Sequence, residues 1–193
     1  MPTLIINSIL LGVGLAMDAF SVSLANGLNE PCMPKKKIYG IAGTFAVFQA
    51  IMPLIGWLCV HTVLQYFKAF ESFIPWIALI LLGFIGGKMI YESATCKEGD
   101  GCECRKLSFV ALIVQGIATS IDALSVGFTI SDYDLAKALL CAAIIAVITF
   151  VICVSGVIIG KKAGTKLSGK AGYLGGIILI IIGLEIFIEG IIN

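Results

Sequence analysis

Charge is what this chain has least of. Asp, Glu, Lys and Arg together make up 13% of its 193 residues, against 59% hydrophobic residues and a mean hydropathy of +1.06. Those proportions exclude an ordinary soluble domain and describe an integral membrane protein. The net charge is +1 and there is no acidic or basic tail, so nothing here recruits a nucleic acid. Histidine is reduced to His61, which reads as an interfacial polar residue and not a ligand. The seven cysteines leave at least one unpaired and fall in apolar segments or in loops expected in the cytoplasm, so no disulfide framework is expected. A nucleotide site is lacking as well. The run from Gly164 to Ala171 nearly spells a phosphate-binding loop, but Ala171 stands where a Ser or Thr must reach Mg²⁺, and no strand precedes it. The first apolar stretch has no basic n-region and carries Asp18 in its middle, so it is expected to be a retained helix and not a cleaved signal peptide.

What is there is apolar length. A helix crossing the hydrocarbon core needs about 20 mostly apolar residues, and six candidates lie near residues 3–28, 38–60, 73–92, 107–130, 136–160 and 172–192. They are continuously apolar and do not alternate as barrel strands do. The expected fold is therefore all-α and integral to the membrane. Lys35, Lys36, Lys37, Lys97, Arg105, Lys106, Lys161, Lys162, Lys166 and Lys170 lie in the first, third and fifth loops, whereas the second and fourth hold only Lys68 and Lys137. The excess of positive charge marks the cytoplasmic side, so both termini are expected outside the cytoplasm.

The phrase Ala16-Met17-Asp18-Ala19-Phe20-Ser21-Val22 returns as Ser120-Ile121-Asp122-Ala123-Leu124-Ser125-Val126, and the same spacing separates Gly56 from Gly160. Three spans per half make the second half enter the membrane from the opposite side, giving two inverted three-helix repeats with a shared site near the midplane. On this reading residues 1–94 form the first repeat, 95–106 a cytoplasmic linker and 107–193 the second repeat. Close helix approach is expected at the small-residue pairs Gly83 and Gly87, Gly156 and Gly160, and Gly172 and Gly176. Pro53 frees a backbone carbonyl one turn earlier, near Gln49.

An aspartate at the centre of a membrane helix costs about 2.5–3.5 kcal/mol on insertion scales and marks ion pathways, proton relays or substrate sites. Two such carboxylates are a matched counter-charge for one divalent cation. Oxygen donors from Asp18, Asp122, Ser21, Ser125, Gln49 and Gln115 suit hard ions such as Mn²⁺, Mg²⁺ or Ca²⁺. Glu185, mid-way through the sixth segment, is a further carboxylate without a repeat mate, readable as a proton acceptor or as a partner of Lys88 or a hydroxyl. The stretch holding Cys96, Cys102 and Cys104 matches no zinc spacing and reads as a reduced, solvated linker. Exporting a dication against about 100 mV, negative inside, costs about 4.6 kcal/mol. With no nucleotide site, a coupled ion is required, and proton exchange is the expectation.

Several segments together resemble the bacterial MntP-type manganese efflux family, related to the wider lysine-exporter superfamily. They are Met17-Asp18-Ala19-Phe20 with Gly27, Pro53-Leu54-Ile55-Gly56-Trp57, Trp76-Ile77-Ala78, Gly86-Gly87-Lys88-Met89-Ile90 with Glu92, Ile117-Ala118-Thr119-Ser120-Ile121-Asp122-Ala123, and Leu174-Gly175-Gly176. The resemblance spans nearly the whole chain. It implies six transmembrane helices in a bacterial plasma membrane, export of Mn²⁺ as substrate with no resident cofactor, functional aspartates at Asp18 and Asp122, and no enzymatic activity. The chain departs from the family in its linker cysteines, where acids are usual, and in Glu185, where an amide or a base is expected. Export of a softer ion such as Cd²⁺ or Zn²⁺ is the neighbouring alternative. An intramembrane aspartyl protease also pairs two aspartates, but its Gly-x-Gly-Asp motif is absent, and a non-transporting scaffold would not need either carboxylate.

Overall fold

The computed structural model describes residues 2–62, 74–95, 107–131, 133–167 and 171–192, and its regular structure there is entirely helical. In chain order, α1 spans Pro2–Asn29, α2 Lys35–Thr62, α3 Ile74–Thr95, α4 Phe109–Thr119, α5 Ile121–Thr129, α6 Leu135–Leu167 and α7 Ala171–Ile192. Three of these, α1, α2 and α6, are long and apolar enough to cross a membrane, and α4 with α5 makes a fourth if the bent pair is one span. By length and apolarity alone the described residues thus supply three crossings, or four with the bent pair, against six expected. The linker expected at 95–106, with Cys96, Cys102 and Cys104, lies outside the described residues apart from Thr95. Large apolar side chains such as Leu10, Phe84, Val147 and Ile181 stand exposed on the outer faces, a surface suited to hydrocarbon and not to water.

The fourth apolar segment is broken where the sequence suggested continuity. Between α4 and α5 the chain turns by 41°, with Ser120 at φ −112° and ψ 10°. The cause is local. Thr119 Oγ1 donates to the Gln115 carbonyl at 2.8 Å and Ser120 Oγ to the Gly116 carbonyl at 2.6 Å, and hydroxyls that back-bond to the preceding turn bend helices. The matching positions of the first half are Leu15 and Ala16, which have no hydroxyl; α1 runs through unbroken although Ser8 and Ser21 each make one such bond, so the break goes with two successive hydroxyls and not with a single one.

Backbone contact between helices is made by glycines. On α1 and α6, which run parallel, a methyl on Gly27 would meet the Val157 carbonyl at 2.4 Å, and one on Gly160 would meet the Leu24 carbonyl at 2.1 Å. On α2 and α5, also parallel, Gly56 would meet the Leu124 carbonyl at 2.2 Å and Gly127 the Pro53 carbonyl at 2.5 Å. The antiparallel pair α3 and α7 meets at Gly86 and Gly176, each facing the other's carbonyl at 2.6 Å. This corrects the pairing read from sequence. Gly83 and Gly87 face open space, and the contact falls on the intervening Gly86. Gly86→Ala is accordingly expected to destabilise the protein by about 1–3 kcal/mol, the usual cost of overpacking. Gly83→Ala should leave the unfolding midpoint in detergent unchanged, and equal effects of the two substitutions would refute this contact.

The contacts of Gly56 find counterparts at two glycines of α6. A methyl on Gly56 approaches the Leu124 carbonyl and the Gly127 Cα, whereas one on Gly156 approaches the Phe20 carbonyl at 2.9 Å and the Ser23 Cβ at 3.3 Å. Phe20 and Leu124 occupy the same place after Asp18 and Asp122, and so do Ser23 and Gly127. Measured from the aspartates, Gly156 thus meets α1 at the level where Gly56 meets α5, whereas Gly160, at the spacing read from sequence, repeats the close backbone crossing of Gly56, since Gly27 faces Val157 and Lys161 as Gly127 faces Pro53 and Trp57.

Candidate cation site

Gln49 lies at the centre of the bundle and is fully buried. Its Nε2 donates to the Leu15 carbonyl on α1 and to the Thr119 carbonyl at the end of α4, each at 3.0 Å. Leu15 precedes Asp18 by the same interval at which Thr119 precedes Asp122, so one amide grips equivalent points of the two aspartate motifs. Facing two carbonyl oxygens, the amide must present its nitrogen there. Its Oε1 is then left buried with no hydrogen-bond partner. Pro53, which carries no N–H, also deprives the Gln49 main-chain carbonyl of its helical donor.

The break supports this arrangement. In a continuous helix the Ala123 N–H would be sent back to the Thr119 carbonyl. Here it is donated to Asp122 Oδ1 at 2.8 Å, and Gln49 takes the carbonyl. Asp122 thus sits in the first turn of α5, where the positive end of the helix dipole favours a carboxylate.

The sequence-derived residues are placed unevenly. Asp18 is half-buried on the unbroken α1, whereas Asp122 and Ser125 are exposed on α5. Ser21 spends its proton on the Met17 carbonyl at 3.1 Å, keeping lone pairs for a ligand. Gln115 is fully buried but engaged, exchanging two hydrogen bonds with Asn26 at 2.8 and 3.2 Å. Glu185 is exposed on α7 and does not join the buried polar groups. Among the described residues no three His, Cys, Asp or Glu side chains converge as a metal cluster. A cation held here must draw on carboxylates together with neutral oxygens, a donor set that suits a hard ion.

Sequence reasoning missed three features. Asn26 ties α1 to α4 through Gln115, a partner that only tertiary structure reveals. Glu30, buried where α1 ends, pairs with Lys37 and accepts the Leu107 N–H at 2.9 Å, while Lys161 Nζ donates to the Met33 carbonyl at 2.8 Å. Together these fasten the turn between α1 and α2 to the start of α4 and to α6. Thr149 on α6 is fully buried with its hydroxyl unpartnered. Single hydroxyls in apolar runs give no sequence signal.

Residues 32–187 match a family profile described as "Putative manganese efflux pump". A protein of Ruminiclostridium cellulolyticum named "Putative manganese efflux pump MntP" is 43% identical over 181 residues, covering 94% of both chains. One of the same name from Clostridium perfringens is 42% identical over 96% of this chain and 94% of its own. Another from Rippkaea orientalis is 44% identical over 97% and 98%. No solved structure matches the chain. Apolar helices of spanning length and this similarity make it a multi-pass membrane protein, and the chain belongs to the MntP manganese efflux pump family.

Proposed function

We propose that this chain exports Mn²⁺ from the bacterial cytoplasm as a secondary transporter, exchanging it for protons at one site between Asp18 and Asp122. Six spans in two inverted halves would place both termini outside the cytoplasm. The observation that carries the reading is the double hydrogen bond of Gln49 to Leu15 and Thr119, which holds the two aspartate-bearing turns to one amide. The names of the relatives supply manganese as the ion. An ionised carboxylate is costly against acyl chains, so the exposed face of α5 with Asp122 and Ser125 is read as lining an aqueous vestibule. There the aspartates bind the cation when ionised and release it on protonation.

Reconstitution tests this directly. In sealed liposomes, Mn²⁺ transport should accelerate several-fold when a pH gradient is imposed so that protons flow opposite to the metal, and Cd²⁺, Zn²⁺, Mg²⁺ and Ca²⁺ should be carried less well. Transport indifferent to the gradient would remove proton exchange while leaving export intact. Failure to move any of these ions would remove both.

A further inference from the structure

We propose that Thr149 is a cation ligand, the second-half counterpart of Gln49, and that the oxygens of these two side chains complete the shell begun by Asp18 and Asp122. The inference rests on the aspartate site proposed above. Its starting point is a shared level relative to the aspartates: Gly156 faces Phe20 as Gly56 faces Leu124, two residues after Asp18 and Asp122. Gln49 lies two helical turns before Gly56 on α2, and Thr149 lies two turns before Gly156 on α6. Both side chains are fully buried, and both hold an oxygen without a partner.

The level of Thr149 along α1 follows from its neighbours. A methyl on Gly12 would meet the Ile145 Cα at 3.2 Å, and Gly156 faces Phe20. Ile145, Thr149 and Gly156 are spaced to share one stripe of a helix. That stripe turns Thr149 toward α1 between Gly12 and Phe20, the stretch that contains Leu15, whose carbonyl Gln49 holds, and Asp18. Two orphan oxygens from different helices thus flank the same stretch of α1. A buried polar atom without a partner calls for an ion or a water. A carbonyl oxygen and a hydroxyl are the neutral hard donors that a Mn²⁺ ion takes beside two carboxylates.

The test uses Thr149→Val, which keeps shape and removes the hydroxyl, and Thr149→Ser, which keeps it. In proteoliposomes the valine variant should raise the KM for Mn²⁺ by at least about tenfold with a smaller change in kcat, and the serine variant should stay within about twofold. The metal-free valine variant should unfold at a higher temperature than the parent, because an unsatisfied buried hydroxyl is gone. A merely structural hydroxyl would give a lower one. An unchanged KM in the valine variant overturns the proposal. If that variant does not fold, Thr149→Cys decides: a sulfur in the shell should shift the preference from Mn²⁺ toward Cd²⁺, and an unchanged ratio overturns the proposal. Asp18→Asn and Asp122→Asn in the same assay separate the two ideas. If they bind Mn²⁺ like the parent, the aspartate site fails; if they lose it while Thr149→Val does not, only the role of Thr149 fails.

Discussion

Asp18→Asn and Asp122→Asn should each abolish Mn²⁺ export, lowering transport in proteoliposomes by at least about a hundredfold, while the protein still inserts and folds. Asparagine keeps the size and one oxygen but surrenders the charge. A dication left with one carboxylate retains an uncompensated positive charge, and each opposite charge in a low-dielectric setting is worth several kcal/mol, about 4 kcal/mol at 4 Å for an effective dielectric near 20. That exceeds the roughly 2.7 kcal/mol that a hundredfold change represents. Folding is expected to survive because the hydrogen bonds of Gln49 Nε2 and those between Asn26 and Gln115 are made to groups other than the two carboxylates. For Asp122 one further effect is expected: asparagine oxygen still accepts the Ala123 N–H, so the break at Ser120 persists. Either variant moving manganese at the parent's rate would remove that residue from the site.

Gln49→Leu is expected to do damage of a different kind. Leu15 sits inside a continuous helix, so its carbonyl keeps a helical donor after the amide is lost. Thr119 does not, since the Ala123 N–H is committed to Asp122. The substitution therefore strands one buried carbonyl at the break, at a cost of about 1–3 kcal/mol, and releases the grip between the two aspartate motifs. A lower unfolding midpoint together with a tenfold or greater loss of transport should follow. If Gln49→Leu left both unchanged, the amide would be neither a clamp nor a ligand. Gln49→Asn, too short to span both carbonyls, should recover little of either.

How far the sequence led can be judged residue by residue. The all-helical character was legible, because apolar runs of this length admit no other backbone solution in a bilayer. Gln49 stood out as an amide beside a proline in an apolar segment, but its use of the nitrogen to bridge two helices was not legible, since Leu15 and Thr119 meet it only through tertiary packing. The break at Ser120 was hidden because Thr119 and Ser120 look like ordinary small residues until their hydroxyls are seen bonded to the preceding turn. Glycine pairing held for Gly156 and Gly160, which both meet α1, and for Gly176, but failed at Gly83 and Gly87 for a geometric reason: spacing locates a stripe of small residues, whereas helix crossing selects Gly86. The spacing from Gly56 to Gly160 does recur in the contacts, with Gly127 against Pro53 and Trp57 as Gly27 is against Val157 and Lys161, but those crossings fall one turn apart when measured from Asp122 and Asp18, which spacing alone does not reveal.

A titration of the purified protein with Mn²⁺, followed by electron paramagnetic resonance of the free ion, bears most directly on a cation shared between the two halves. One bound Mn²⁺ per chain is the expected result, lost in Asp18→Asn and equally in Asp122→Asn. Two ions per chain, each removed by only one of the substitutions, would show two separate carboxylate sites and contradict a shared one.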